Sequence, residues 1–315
     1  MDLNGHKSAD ARVGVSDHLQ VTSFEYNVTE HCNLRCSGCD HASPFLPERF
    51  ASVDDFERDL LQLGAVLRAD EIKLVGGEPL LHPRLIDFAR IAKDSGVARI
   101  VTVVTNGVLL HRFDERLWKP IDRLWVSIYP GVTIRADLDE VQRIAERHGV
   151  ELWRKKTTDF RVTLLNHPNR DATLVREVFA KCGLAHEFSC HTLHEGRYYR
   201  CSPSPFIEPR LAARGVSFEN RSRDGVPIHG NANLRLQLAA YLRSEEPLAG
   251  CACCLGTVGI TRPHRQLGRA SLCEELDEDH ADALTFIDVD LLRVKPRGHW
   301  PREIATRPPW NAKRD

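Results

Sequence analysis

The chain has no run approaching the ~20 apolar residues of a membrane-spanning helix. Residues 1–18 are polar and mixed in charge, without the apolar segment of a secretory signal. These absences predict a cytoplasmic protein with no membrane partner. Neither sign of charge prevails: 43 Lys and Arg against 44 Asp and Glu give a formal net charge of -1. There is thus no global field to draw in nucleic acid and no like-charged tail, and a small or neutral partner fits best. Internal repeats and low-complexity segments are missing as well. The 315 residues therefore suffice for one large domain with a small appendage, or one barrel with an extension.

What the chain does have is cysteine, ten residues in all. Clustered and without an export signal, they point to a reducing compartment and metal ligation rather than disulfides. The densest run is Cys32-Asn33-Leu34-Arg35-Cys36-Ser37-Gly38-Cys39, a C-x3-C-x2-C, with Gly76-Gly77-Glu78-Pro79 downstream. Three such thiolates can hold three corners of a [4Fe–4S] cube, whereas an electron-transfer cluster normally takes four. The fourth iron is then open. Beside a glycine-rich acidic loop, an open iron suits chelation of S-adenosylmethionine and its reductive cleavage to a 5'-deoxyadenosyl radical. A C-x2-C is also half of a zinc site, and His31 and His41 flank the run as nitrogen donors. The joint presence of run and loop favours the cluster. On these residues the chain resembles the radical SAM superfamily, which implies an α/β fold, a partial (β/α)6 barrel.

Between Val21 and Lys156, short β-branched runs alternate with helical ones, the pattern of a parallel sheet. Strands are expected over 21–28, 71–75, 99–104, 123–127 and 151–155, with a sixth over 185–189. Ser52 and Asp55 form the start pattern of a helix carrying Val53, Phe56, Leu60, Leu63 and Leu67 on one face. A second helix after Pro83 carries Leu85, Ile86, Ala89 and Ile91, and others are expected around 138–148, 173–181 and 234–243. The cysteine run, the glycine loop, Thr105-Asn106-Gly107 and Ser127 then all fall at C-terminal strand ends, where parallel barrels and sheets place active sites. The implied divisions are an N-terminal segment (1–20), the partial barrel (21–185), an auxiliary-cluster domain (186–260) and a C-terminal extension (261–315).

In the resembled family the glycine loop receives the methionine amino group. Gly76 and Gly77 lack a Cβ and let the backbone approach a ligand, with Glu78 as a nearby carboxylate. Asn106 and Ser127 would bond the ribose or carboxylate, and Arg154 would clasp the methionine carboxylate in a bidentate fork. Plainer roles stay open: turn residues for the first five, a solvated basic turn for Arg154 with Lys155 and Lys156. The chain departs from the family at Ser127-Ile128-Tyr129-Pro130-Gly131, where relatives continue with an acidic Asp-Gly. That loop is expected to face substrate. Trp125, Tyr129 and Trp153 sit near the same rim, with core packing the plainer role for Trp125.

A second group lies in the C-terminal third. Cys190 and Cys201 flank a hairpin over 191–199 that turns at Glu195-Gly196, and Cys251-Ala252-Cys253-Cys254 follows a helix. Cys190, Cys201, Cys251 and Cys254 make a four-thiolate set for an auxiliary [4Fe–4S] cluster or a tetrahedral zinc. The arrangement resembles the small "twitch" form of the SPASM extension. Cys182, Cys253 and Cys273 are left over. An S–H bond is weaker than a sugar C–H bond, so Cys253, between two ligands, is the candidate catalytic hydrogen donor, with burial the alternative.

About two dozen residues precede the first motif strand, too few for the winged-helix leader-peptide domain of peptide-maturing relatives. The resemblance to enzymes that modify aminoglycoside and oligosaccharide antibiotics implies a small-molecule carbohydrate substrate and a low-potential electron donor of flavodoxin or ferredoxin type. Three outcomes stay open: epimerisation with a cysteine donor, oxidation of an alcohol to a ketone through the auxiliary cluster, and electron transfer without radical chemistry.

Overall fold

The computed structural model describes residues 18–294. Nearly all of the segment expected over 1–20, and the end of the 261–315 extension, lie outside the described residues. Strand β1 (Leu19–Thr29) sets the architecture. From Ser23 onward it is buried on both faces, as a central parallel strand is. One face is apolar (Phe24, Tyr26, Val28) and the other polar (Ser23, Glu25, Asn27, Thr29). Strand alternation sends the apolar set toward helices α1 (Val53–Gly64) and α2 (Leu85–Ser95), where the Tyr26 ring lies 4.4 Å from Phe56 and 5.9 Å from Phe88. The polar set is left for the opposite face, where Glu25 reaches the floor of the main cavity.

Strands β2 (Leu67–Gly76), β3 (Ala98–Thr105), β4 (Arg123–Ile128) and β5 (Glu151–Lys156) follow in parallel, with α3 (Leu138–Arg147) between the last two. All five strands expected here are present, each lengthened at one or both ends. Ser52 caps α1, its Oγ accepting from the Asp55 amide at 3.3 Å. Leu67 is not on that helix. The helix ends at Gly64, where a Cβ would come within 2.7 Å of Val97 Cγ2, and Leu67 opens β2.

The sixth strand is also displaced from its expected place. After the short antiparallel strand β6 (Asp159–Arg161) and helix α4 (Ala172–Lys181), residues 183–188 bond within a helical turn, α5 (Gly183–His186). The Cys182 carbonyl accepts from His186 N at 3.2 Å and the Gly183 carbonyl from Glu187 N at 2.8 Å, so these groups are satisfied without a ladder. Ser189 then takes a left-handed conformation (φ 49°), and the sixth parallel strand is β7 (His191–His194), joined to β1. Strand β8 (Arg197–Tyr199) completes the expected hairpin and β9 (Val226–Pro227) the edge, giving the order β5-β4-β3-β2-β1-β7-β8-β9. The result is an α/β partial barrel whose sixth parallel strand lies beside β1. Helix α6 (Ser204–Ala212) and a helix at Leu234–Arg243 cover the hairpin side. Strand β10 (Thr261–Pro263) pairs with β6 and brings the C-terminal segment over the cysteine run, where Leu267 N donates to Arg35 O at 2.7 Å. Among the described residues no helix is long and apolar enough to cross a membrane.

Candidate active site

The cysteine run leaves the C-terminal end of β1 and is held from two sides. Asn106, just past β3, donates through Nδ2 to Asn33 Oδ1 at 2.7 Å and to Cys32 Sγ at 3.5 Å. From the C-terminal segment, Gln266 Nε2 donates to Cys36 Sγ at 3.2 Å, and His264 Nε2 lies 3.3 Å from the same sulfur. Nothing in the sequence marked His264 or Gln266, 230 residues away. Burial pushes the Cys32 and Cys36 thiols up to about 12 and raises Cys39 as well. Three soft donors on one loop, with a polar second layer already pointed at two of them, fit a [4Fe–4S] cluster with one open iron. His31 faces the other way, its Nδ1 2.9 Å from Thr29 Oγ1, and His41 approaches Glu25 at 3.8 Å, so neither completes a zinc set.

The glycine loop lines the main cavity and also packs against the root of the cysteine run. A Cβ on Gly77 would overlap the His31 carbonyl and lie 2.8 Å from Cys32 N; one on Gly76 (φ 138°) would overlap the Thr29 carbonyl. The close approach is to the start of the cysteine run, through Gly77 N to Thr29 O at 2.9 Å and Glu78 N to His31 O at 3.1 Å. Glu78 is fully buried and is not a cavity wall residue. Its carboxylate accepts from Thr105 Oγ1 (2.6 Å), Leu80 N (3.0 Å) and Asn106 N (2.8 Å), fixing the Asn106 turn. Its link to the cavity is Asn106, which lines the wall.

Burial nevertheless raises the Glu78 carboxyl to about 7 against those three donors. Because the folded pKa exceeds the unfolded one, the folded state holds the extra proton. This group's stabilising share is complete below the unfolded pKa of about 4.3 and is lost as pH rises through about 7. Glu78→Gln removes that titration and leaves Asn106 less firmly held. The variant's melting temperature should fall less than the wild type's between about pH 5 and about pH 8, with S-adenosylmethionine affinity down several-fold. Identical pH slopes and affinities would show that Glu78 neither titrates high nor holds Asn106.

Both motifs open onto one cavity of about 370 Å³, also lined by Asn106, Ser127 and Tyr129. The ring of Tyr129 stacks on His264 at 4.8 Å, and Trp125 reaches the wall from β4. Arg154 does not. On β5 it points outward to Asp139 at 2.8 Å, and Lys155, one residue on, faces the cavity in its place. Trp153 shares the face of Lys155 but sits below the cavity lining, edge-on to Trp125 at 5.7 Å and 3.6 Å beneath the Arg123 guanidinium. The floor is polar: Glu25, Lys73, Lys155 and Cys190, with Asp40, His41, Asp159 and Arg161 nearer the cysteine run.

Cys190 therefore belongs to the main cavity and not to the second thiol group. That group is Cys182, Cys201, Cys251 and Cys254, which line a separate, apolar cavity with Phe179, Leu248 and Gly250. The left-handed Ser189 precedes Cys190 and turns the chain there, while Cys182 at the C-terminus of α4 reaches across to Gly256 (φ 51°), where a Cβ would be 2.5 Å from its Sγ. Burial and the mutual repulsion of thiolates raise Cys201, Cys251 and Cys254 well above the ordinary thiol value, and burial raises Cys182. Four thiols in a dry enclosure fit a fully ligated cluster or zinc. Cys253 faces neither cavity. It is fully buried among Ala42, Leu164, Phe206, Ile207 and Leu211, so as a hydrogen donor it is misplaced. Cys273 is exposed. Glu30, His194 and Glu195 approach metal-ligating distances of one another beside the β7–β8 turn, but Arg49 pairs with both glutamates and Arg221 with Glu195, so their charge is already met.

Residues 26–161, from within β1 to the end of β6, match the Radical SAM superfamily. A GTP 3',8-cyclase of Alkaliphilus oremlandii is 27% identical over 132 residues, 39% of this chain and 41% of that protein. One of Chlorobaculum tepidum is 33% identical over 129 residues, 38% of each. The chain thus spans about two-fifths of the length of these relatives. Among solved structures, BtrN in complex with AdoMet and 2-DOIA aligns over 74% of this chain and 92% of its own, at 15% identity and a TM-score of 0.42. Streptococcus suis SuiB bound to S-adenosylmethionine aligns over 44% and 33%, at 14% identity and a TM-score of 0.33. The domain read from the cysteine run and the glycine loop is a radical SAM domain, and its cofactors are a [4Fe–4S] cluster and S-adenosylmethionine.

Proposed function

We propose that this chain, whose residues 26–161 form a radical SAM domain, is a two-cluster carbohydrate epimerase with Cys190 as its hydrogen-atom donor. The observation that carries the reading is that Cys190 shares one cavity with the three-cysteine run and the glycine loop. Cys32, Cys36 and Cys39 would hold the first cluster and Cys182, Cys201, Cys251 and Cys254 the auxiliary one. S-adenosylmethionine, when bound, supplies a 5'-deoxyadenosyl radical. The chain's own residues then decide the outcome. Asn106 and Ser127 offer polar contacts near the cysteine run, Trp125 and Tyr129 offer aromatic faces, and Glu25, Lys73 and Lys155 can bond several hydroxyls at once. Once a carbinol carbon has lost its hydrogen, the Cys190 thiol supplies one from the opposite side.

The GTP 3',8-cyclases match this chain only over the shared domain, so the substrate is argued from the cavity. Its acids Glu25, Asp40 and Asp159 balance its bases Lys73, Lys155 and Arg161. A nucleoside triphosphate needs a net positive wall, whereas a neutral or aminated polyol does not. A low-potential donor of flavodoxin or ferredoxin type would deliver the electron. Oxidation to a ketone is the second reading, favoured by Leu184, which lines both the main cavity and the auxiliary thiol cavity and so sets them side by side.

A thiol exchanges its proton with solvent and a carbon-bound hydrogen does not. With a candidate oligosaccharide or aminoglycoside in D2O, the epimerase should give an isomer one mass unit heavier, deuterated at the inverted carbon. Cys190→Ala should block that product while 5'-deoxyadenosine still forms. A product two mass units lighter would establish the dehydrogenase instead, and cyclisation of GTP would remove the carbohydrate reading altogether.

A further inference from the structure

The cavity floor holds a lysine that nothing so far explains. Lys73, on β2, is 4% exposed, and its Nζ donates to Ser23 Oγ at 3.2 Å and lies 3.8 Å from Glu25. Ser23 Oγ in turn donates at 2.8 Å to the carbonyl of Ser189, the residue before Cys190. The ammonium is thus tethered, through one hydroxyl, to the backbone that carries the thiol. Lys73 and Cys190 line the same cavity. Beside them, the Glu25 Oε2 atom is buried without a hydrogen-bond partner, so the floor has an acceptor still to be filled.

Resting on the epimerase reading, we propose that Lys73 is the acid that restores the Cys190 thiol after each turnover. Homolysis of the Cys190 S–H bond gives a hydrogen atom to the substrate carbon and leaves a thiyl radical. One electron, from a low-potential reductant of flavodoxin or ferredoxin type, converts that thiyl to a thiolate. A Lys73 N–H bond then breaks as the S–H bond forms, and the neutral amine takes a proton from water entering the cavity. Charge and electrons balance over the cycle: one electron and one proton enter, and one hydrogen atom leaves with the product.

The surroundings set a charged ammonium beside a thiol that is basic once deprotonated. Burial pushes the Cys190 thiol up to about 12, so a thiolate formed there is a strong base. Burial works against the Lys73 ammonium, but Cys190, Glu25 and Glu71 outweigh it and keep the group charged, a loaded proton donor. The other groups facing the pair are Lys155 from β5, Asp40 and His41 from the cysteine run, and His191 from β7. Burial lowers Lys155, and burial holds His191 down at about 4, so the histidine is neutral and has no proton to give at pH 7. Lys73 is the buried ammonium tied to the thiol's own backbone.

The test compares Lys73→Met with Lys73→Arg in cluster-loaded enzyme. Arginine keeps the positive charge but does not release its proton. Moved from H2O into D2O, both variants should make about one isomer per enzyme, carrying the protium already on the thiol, and stop, where the wild type continues and deuterates its product. A second readout needs no turnover: alkylation of Cys190 in the enzyme without S-adenosylmethionine, followed by peptide mass mapping. Losing the ammonium should slow it by about tenfold, one pKa unit, in Lys73→Met, while Lys73→Arg stays near the wild-type rate. Unchanged iron content in both variants checks that they fold, and Lys73→Gln replaces the methionine variant if that one loses iron. Continued turnover by Lys73→Met or Lys73→Arg would overturn the assignment. If Cys190→Ala itself still yields the deuterated isomer, the epimerase mechanism fails independently of Lys73.

Discussion

Reconstituted Cys182→Ala protein is expected to hold about half the iron of the wild type, roughly four atoms in place of eight, whereas Cys190→Ala keeps all of it. The two cysteines are eight residues apart in the chain, but they line different cavities. Cys182 shares its enclosure with Cys201, Cys251 and Cys254, and Cys190 shares its own with Glu25 and Lys73. Removing one of four thiolates opens a cluster to water in a pocket with no spare ligand, because Cys253 points into the apolar core. The half that remains should still cleave S-adenosylmethionine, since the first three cysteines are untouched. Iron and sulfide analysis with the two absorption spectra decides the matter. Loss of half the iron in Cys190→Ala instead would return Cys190 to the ligand set. Zinc in place of the missing iron of the wild type would make the second site structural.

The fold was legible wherever local pattern and tertiary position agree. Phe24, Tyr26 and Val28 alternate with Ser23, Glu25 and Asn27 in the sequence itself, and the helices and the cavity sit on the sides that this alternation assigns. The motif loops followed because each ends a strand. What was not legible depends on single-residue choices of direction. Arg154 and Lys155 are adjacent bases on one strand, and only the register of β5 decides which of them faces inward. Cys190 and Cys201 do flank a hairpin, as the turn at Glu195-Gly196 predicts, but the ladder runs only to Thr192 and Tyr199, the backbone at Ser189 is left-handed, and the two cysteines line different cavities. Sequence spacing carries no signal for such a reversal at a serine, because glycine or asparagine is the usual mark of that conformation. His264 and Gln266 were invisible for another reason. They reach Cys36 through the pairing of β10 with β6, a long-range contact between two three-residue strands with weak periodicity.

Gly77→Ala should cost both S-adenosylmethionine binding and the first cluster, a larger loss than a ligand-facing glycine alone would produce. In a ligand-facing loop, an added methyl would narrow the binding site and leave the iron in place. Here the methyl would overlap the His31 carbonyl oxygen and crowd Cys32 N at 2.8 Å, both backbone atoms at the root of the cysteine run. Backbone cannot swing aside as a flexible side chain can, so the strand end must shift and carry the Cys32 limb with it. The bonds from Gly77 N to Thr29 O and from Glu78 N to His31 O stretch in the same movement, and Asn106 loses its buried carboxylate anchor. The expected result is loss of about half the iron and of 5'-deoxyadenosine formation, with auxiliary-cluster absorbance retained. Gly215→Ala is the matched control. That glycine has a left-handed φ of 75°, which Gly77 lacks, but its Cβ would meet nothing within 4 Å, so the substitution should cost about 1 kcal/mol of stability from the backbone alone and no iron. A Gly77→Ala protein with full iron and weakened S-adenosylmethionine affinity would restore the loop to a purely ligand-facing role and show that the root of the cysteine run yields more readily than its packing implies.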